Sequence, residues 1–351
     1  MPTSSVARLA SFAGIGLALV LLTHGASRLY SQYQLDQQWP LVQQPLPVTL
    51  DFAQQKQWLN ELASAEYQGR ASGTAGGLLA QAFIVQQMQQ IGLTPVGSQG
   101  FLQPYNNALA PAKPTPSEST AANVAHHDAQ QQAGVANILG MIVGTDHQQP
   151  WLVITAHYDH LGMHEGRIFH GADDNASGVA TMLALAAYFK KHPPKHSILF
   201  AALDQEEVGM WGAQALLDYL PKITQQPIKL NINLDMLSRD TEQQLFAVGS
   251  YHYPAIKPLI QQVQQQTPVR LIAGHDKPWW LAGNIPDWTY ASDHGHFHRR
   301  DIPFIYFGVP DHPDYHQPTD TADRVSTDFY QQVSETVLRF VLAVDASDRR
   351  F

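Results

Sequence analysis

The chain has no cysteine among its 351 residues. Disulfide bonds, a thiolate zinc site, a cysteine nucleophile and a lipid-modified N-terminal cysteine are therefore excluded. Charge is sparse as well: 15% of residues are Asp, Glu, Lys or Arg, the formal net charge is -9, and no basic tract occurs. Without a clustered positive face to neutralise phosphates, no nucleic-acid partner is expected. There is no internal repeat. The glycine-rich stretch 68–77 lacks the Gly-Lys-Ser/Thr ending of a nucleotide loop, so it reads as a structural turn packing against the functional site. A long apolar span is also missing: the run 9–22 falls short of the roughly 20 residues of a crossing helix unless residues 23–27 extend it. Arg8 before that run and Gly25-Ala26-Ser27 after it have the layout of an export signal. Residues 1–27 accordingly read as a signal peptide or an uncleaved N-terminal membrane anchor, and the protein as periplasmic or extracellular with no other membrane contact.

What the chain does contain is enough apolar residues, 44%, to bury a full core. Residues 28–50, rich in Gln and Pro, suit a linker, and a single folded domain is expected over 51–351. Asp51 with Gln54 makes a capping-box pattern ahead of Trp58, Leu59 and Leu62 at helical spacing. Leu79, Phe83, Ile84, Met88 and Ile91 mark the stripe of a second helix, which Gly92 can end and Pro95 keeps from resuming. Further helices are expected over 177–191, 211–220, 254–265 and 327–344. The Pro-, Ala-, Ser- and Gln-rich segment 103–133 reads as an extended excursion, too short for a domain. Apolar, β-branched runs at 135–143, 151–156, 197–203, 228–234 and 304–307 read as buried strands. Strands and helices alternate, so the fold class is α/β, a three-layer sandwich with a mixed, mostly parallel sheet flanked by helices.

The strands share a further property. Residues 151–156 run into His157-Tyr158-Asp159-His160, the strand ending near Asp204 is followed by Glu206-Glu207, 228–234 leads to Asp235, and 304–307 is soon followed by His316. Open α/β sheets bind ligands at the carboxyl ends of their strands, so these residues should converge. The glycine-flanked turn 171–178, GADDNASG, places Asp173 and Asp174 at the start of a helix, an arrangement that is costly without cations. Asp174 suits a bridge between two of them, and Asp173 a role in shaping the turn. Alternate residues of a strand share a face, so Asp159 is expected to accept the ring N–H of His157 and free its other nitrogen for metal. Glu206 and Glu207 are adjacent and diverge, so one can ligate metal while the other faces an attacking water. Asp235 and His316 complete the set. Imidazole and carboxylate without thiolate suit zinc, with cobalt or manganese able to substitute. The carboxylates of Asp174, Asp235 and Glu207 cancel most but not all of the charge of two zinc ions, which favours a bound hydroxide near neutral pH.

Taken together, His157-Tyr158-Asp159, GADDNASG, Glu206-Glu207, Asn233-Leu234-Asp235-Met236, Ser292-Asp293-His294 and the late His316 resemble the co-catalytic zinc aminopeptidases of metallopeptidase clan MH, the family of bacterial leucyl aminopeptidase and aminopeptidase Y. The resemblance covers residues 62–325. It implies an eight-stranded mixed sheet between helices and removal of the N-terminal residue from peptides with a free N-terminus. It also implies two zinc ions per chain, one on His157 and Asp235 and the other on Glu207 and His316, with Asp174 bridging and Glu206 as general base. Tyr290, near the Ser-Asp-His motif, is the candidate for a further oxyanion donor. Segment 103–133 cannot hold the protease-associated domain that some relatives carry.

His160, His164, His170, His296 and His298 are read as surface residues, because a histidine near a motif is most often solvated. Trp279, Trp280 and Trp288 either wall a pocket for the substrate's first side chain or pack a loop. Glutaminyl cyclases resemble the same fold but work with one zinc, and a carboxypeptidase or dipeptidase would keep every ligand, so both alternatives stay open. A catalytically dead binding relative would have lost ligands, and none is missing.

Overall fold

The structure is a computed structural model that describes residues 46–106 and 134–351. The expected signal or anchor at 1–27, most of the linker and most of the excursion at 103–133 lie outside the described residues. In chain order the elements are α1 (Phe52–Leu62), α2 (Ala75–Ile91), β1 (Thr94–Pro95), β2 (Leu102–Pro104), β3 (Ala136–Ile142), β4 (Trp151–His157), β5 (Gly162–His164), β6 (Arg167–Phe169) and α3 (Gly178–Lys191). They continue with β7 (Ile198–Leu203), α4 (Trp211–Ile223), β8 (Ile228–Leu234), β9 (Gln244–Val248), α5 (Lys257–Gln264), β10 (Arg270–Ala273), α6 (Trp279–Ala282), α7 (His294–His298), β11 (Phe304–Gly308) and α8 (Thr327–Ala346). Among the described residues no helix is long and apolar enough to cross a membrane.

Among the described residues nine strands form one sheet in the order β1-β3-β7-β4-β8-β11-β9-β10, with β2 also paired to β3. The central strands β7, β4, β8 and β11 run parallel, and antiparallel pairing enters where β3 joins β7 and β9 joins β11. Every residue of β4 and β7 is buried, as expected of parallel strands covered on both faces. The alternation of β4 shows the two layers. Leu152, Ile154 and Ala156 join the core built with α1, α2, α3, α5 and α8, while Trp151 and Val153 join the core under α4 and Phe297 of α7. Helix α3 is buried along most of its length, which follows from a sequence apolar on every side.

The structure departs from the sequence reading in places. Strands β9 and β10 are only 5 and 4 residues long, too short for a periodic signal, and were not expected. In α2 the buried register runs through Ala80, Ile84 and Met88 while Leu79 is exposed, because the face is set by packing on the sheet. The body begins before Asp51: the Leu46 amide donates to Gln332 Oε1 at 2.9 Å, and the Thr49 and Leu50 amides to Glu335 Oε1 at 2.6 and 2.8 Å. The last residues of the expected linker are thus clamped to α8.

The glycine-rich stretch packs as expected. A Cβ on Gly69 would stand 2.3 Å from the Phe169 carbonyl oxygen, and one on Gly76 1.9 Å from that of Tyr67, so only glycine admits these backbone approaches. Between them the buried Arg70 donates to the carbonyls of Leu62 (2.7 Å), Tyr158 (3.0 Å), His170 (2.7 Å) and Gly171 (2.8 Å). It ties α1 to the segment after β4 and to the turn before α3. Burial lowers its pKa to about 10, opposed by Asp174, Asp320 and other acids nearby, so it stays charged at neutral pH. Arg70→Met strands four buried carbonyls and is expected to cost about 3–5 kcal/mol, read as a lower urea midpoint at unchanged m-value. A loss under about 1 kcal/mol, the worth of one ordinary hydrogen bond, would show that Arg70 does not brace these segments.

Candidate metal centre

Strand β4 ends in His157, Asp235 follows β8, the turn after β7 carries Glu206 and Glu207, and Asp174 sits in the turn that leads into α3. His157, Asp174 and Asp235 bring ligand atoms within 4.8 Å of one another, and so do His160, Asp174 and Glu207. The two groups share Asp174. His157 Nε2 lies 3.3 Å from Asp174 Oδ1 and 3.3 Å from Asp235 Oδ1. Asp174 Oδ2 faces the other way, 3.0 Å from His316 Nε2 and 3.7 Å from His160 Nδ1. Glu207 turns Oε1 to His160 Nδ1 at 2.7 Å and Oε2 to His316 Nε2 at 3.3 Å. Ligand atoms about 2.0 Å from a tetrahedral ion stand roughly 3.3 Å apart. Most of these separations are those of a metal shell, and the donors, imidazole nitrogen and carboxylate oxygen, fit zinc.

Each of these side chains is held from behind. His157 Nδ1 faces the main-chain oxygen of Asp159 at 3.2 Å, which leaves Nε2 for the centre. The Asp159 carboxylate, expected to take that N–H, is 3.8 Å away. It instead accepts the amides of Glu206 at 3.0 Å and Glu207 at 3.3 Å, so Asp159 positions the glutamates rather than the imidazole. Asp320 accepts the amides of Asp173 and Asp174 at 3.0 and 3.1 Å. Asp173 shapes the turn as anticipated, its Oδ1 accepting the Ser238 amide at 2.7 Å and its Oδ2 standing 3.0 Å from His312 Nε2. At Gly178 a Cβ would lie 2.4 Å from the Leu234 carbonyl oxygen, so glycine there lets α3 start against the end of β8 and brings Asp174 beside Asp235.

A cavity of about 80 Å³ opens onto His157, Asp174, Glu206, Asp235 and His316 and is walled by Trp288, Tyr306, Val309 and Tyr315. Glu206 faces this space while Glu207 faces the two imidazoles, the divergence expected of neighbours in a turn. Burial raises the Glu206 carboxyl well above its ordinary range; His157 opposes this, and Asp293, Asp235 and Glu207 add to it.

The surface reading of His160 is corrected, and Tyr290 and the tryptophans find their places around the centre. Tyr290 is 47% exposed and outside the cavity lining, its ring lying 4.8 Å from the Arg299 guanidinium; the tyrosines on the cavity are Tyr306 and Tyr315. Trp279 and Trp280 project into solvent, and of the three tryptophans only Trp288 reaches the cavity. His160, taken for a surface residue, is 2% exposed and belongs to the second group. The signal for it was its place three residues after His157 at the same strand end. Of the other histidines read as surface, His164 is exposed and His170, His296 and His298 are partly buried, outside both groups. Tyr306 was missed because it sits inside an apolar strand, and Tyr315 because it was read only as the neighbour of His316.

Two imidazole–carboxylate groups sharing one aspartate, at the carboxyl edge of parallel strands and beside a further carboxylate, make two candidate metal sites side by side. Residues 137–341 match the model of Peptidase family M28, over half of the chain, and the chain belongs to that family. Aminopeptidase YwaD of Bacillus subtilis (strain 168) is 27% identical over 215 residues, which cover 57% of this chain and 43% of YwaD. The chain thus spans less than half the length of that relative. Among solved structures, BSAP, a zinc aminopeptidase from Bacillus subtilis, has a TM-score of 0.61 at 18% identity, covering 86% of this chain and 97% of its own. A Bacteroides thetaiotaomicron glutaminyl cyclase bound to N-acetylhistamine has a TM-score of 0.57 at 16% identity, covering 84% and 99%. Similarity at that identity shows the fold, and peptidase and cyclase share it.

The acids of the centre also favour a proton on His316. Burial pulls the His316 pKa down, but Asp174 and Glu207 outweigh it and raise it to about 10. The stabilisation from this imidazolium is present in full below the ordinary histidine pKa of about 6.5 and lost as pH rises through about 10. Zinc must displace that proton. Titrating the metal-free protein near neutral pH is therefore expected to release protons, with apparent zinc affinity rising with pH. Calorimetry in buffers of different ionisation enthalpy reads this; binding without proton release would contradict the arrangement at His316.

Proposed function

We propose that the protein is an exported, zinc-dependent aminopeptidase that binds two zinc ions per chain. The observation that carries the reading is Asp174, whose two oxygens face separate ligand groups beside the free carboxylate of Glu206. His157 and Asp235 would hold one ion and Glu207 and His316 the other, with Asp174 shared between them. When bound, the ions polarise the scissile carbonyl and stabilise the charge that develops on it. Glu206 is the general base. It takes a proton from the attacking water and delivers it to the departing amine. Burial and the neighbouring acids Asp293, Asp235 and Glu207 raise its proton affinity, as a proton acceptor requires.

The small volume of the cavity, about 80 Å³, supports a substrate presented end-first, and the names of YwaD and BSAP support the amino end of a peptide. Asp159 keeps both glutamates in place through their amides. Export rests on Arg8 and the apolar run that follows it, with cleavage or tethering as its two outcomes.

The reading is tested by mass spectrometry of products from the zinc-loaded full chain, given free, acetylated and N-terminal-Gln peptides. Release of single N-terminal residues from free amines alone is expected. Glu206→Ala should reduce it by about 10²–10⁴-fold with zinc content retained. Loss of ammonia from N-terminal Gln would mean a cyclase instead, and C-terminal trimming a carboxypeptidase. Trp288 walls the cavity and Trp280 does not, so Trp288→Ala is expected to change the ranking of N-terminal residues and Trp280→Ala to leave it unchanged. The opposite pattern would place the substrate's first side chain outside this cavity.

A further inference from the structure

We infer that the two metal positions are unequal, and that His160 is a fourth protein ligand which closes the position formed by Glu207, His316 and Asp174. The position formed by His157, Asp235 and Asp174 then has three protein ligands and is the one left open. This rests on the two-zinc reading above.

The His160 ring is held in a slot. Its amide donates to the Arg70 carbonyl at 3.3 Å, and the ring lies against the backbone of Gly171, where a Cβ would stand 2.6 Å from its Cγ and Cδ2. Arg70 in turn donates to the Gly171 carbonyl at 2.8 Å. Glycine at this point admits the ring, whose Nδ1 is directed at the acids. Among the described residues the buried Nε2 has no hydrogen-bond partner, so the polar contacts of the ring are made at Nδ1.

Nδ1 stands 2.7 Å from Glu207 Oε1 and 3.7 Å from Asp174 Oδ2. His316 Nε2 approaches the same two carboxylates from another side at 3.3 and 3.0 Å, and the two rings meet edge to face with centroids 5.8 Å apart. His160, Asp174 and Glu207 thus bring ligand atoms within 4.8 Å of one another, and the contacts of both imidazoles with the two carboxylates, 2.7–3.7 Å, bracket the roughly 3.3 Å of a tetrahedral zinc shell. A hydrogen bond to Glu207 accounts for the shortest of these contacts but not for an imidazole nitrogen standing over both carboxylates that His316 also faces.

The consequence follows from coordination number. Zinc with four protein ligands is saturated, whereas three protein ligands leave a position for a reacting group. His160 and Glu207 do not line the cavity; His157, Asp235 and the free Glu206 do. The closed position thus fills first and holds its ion more tightly, and the open position is the one that Glu206 serves.

Cobalt titration of the metal-free full chain tests this without reference to activity. The first equivalent is expected to give the intense visible absorption of four-coordinate cobalt, and the second weaker bands. His160→Ala should weaken the first equivalent by at least the roughly 10–100-fold that loss of a mere outer partner costs, and remove its intense bands. His160→Asn retains a donor toward Glu207 without the imidazole; if it restores wild-type affinity and bands, His160 only positions Glu207 and the inference falls. The natural chain has no cysteine, so a near-ultraviolet thiolate-to-cobalt band in His160→Cys can arise only from ligation at that position. Its absence in folded protein carrying two cobalt ions would overturn the proposal. Fewer than two ions bound by the wild type would instead fail the two-zinc reading itself, while two ions bound alike by wild type and His160→Ala would fail only this inference.

Discussion

The Asp174 carboxylate is a fully desolvated anion at the carboxyl edge of the sheet, and the surrounding structure is arranged to keep it there. Burial alone would raise its pKa, yet His160, His157 and His316 hold it well below the usual range. An uncompensated charge at such depth is far too costly to persist, so the imidazoles, or cations in their place, are a condition of the fold as much as of the chemistry. The backbone around it obeys the same constraint. Asp320 receives the amides of the turn, and the glycines at 171 and 178 admit a ring on one side and the end of β8 on the other.

The sheet accounts for why so many acids meet at one place. Parallel neighbours end at the same edge, so β4, β7 and β8 deliver His157, the Glu206–Glu207 turn and Asp235 to adjacent points. Their interiors are buried on both faces, and the polar residues within them, Thr155, Asn231 and Asn233, are hydrogen-bonded to one another, so the acids and imidazoles stand at the strand ends. Arg70 offsets part of the negative potential from behind without touching any ligand carboxylate, since its donors are taken by four carbonyls. The guanidinium charge thus acts on the centre from behind, while the imidazoles face the carboxylates directly.

A glutaminyl cyclase and a zinc aminopeptidase both lie on this fold at similar structural distance, so the scaffold alone does not assign the reaction. What distinguishes the possibilities is local: how many positions are filled, how many protein ligands close each, and what the small cavity beside Glu206 admits. The presence of a second imidazole beside Glu207 makes the two halves of the centre chemically different although they share an aspartate.

By itself the sequence determined the layered α/β architecture, the strand ends as the functional edge, and His157, Asp174, Glu206, Glu207, Asp235 and His316 as residues that meet there. Period, apolar runs and turn glycines are local properties of the chain, and they carry that information directly. Only the tertiary structure decided the rest. Whether Asp159 supports the imidazole or the glutamates depends on where the turn after β7 lies in space. The removal of Tyr290 from the cavity in favour of Tyr306 and Tyr315 depends on how α7 and β11 pack. His160 stands in the centre where its amide meets the Arg70 carbonyl and its ring lies against Gly171; side-chain direction at the end of a strand is set by such long-range contacts, on which spacing along the chain is silent.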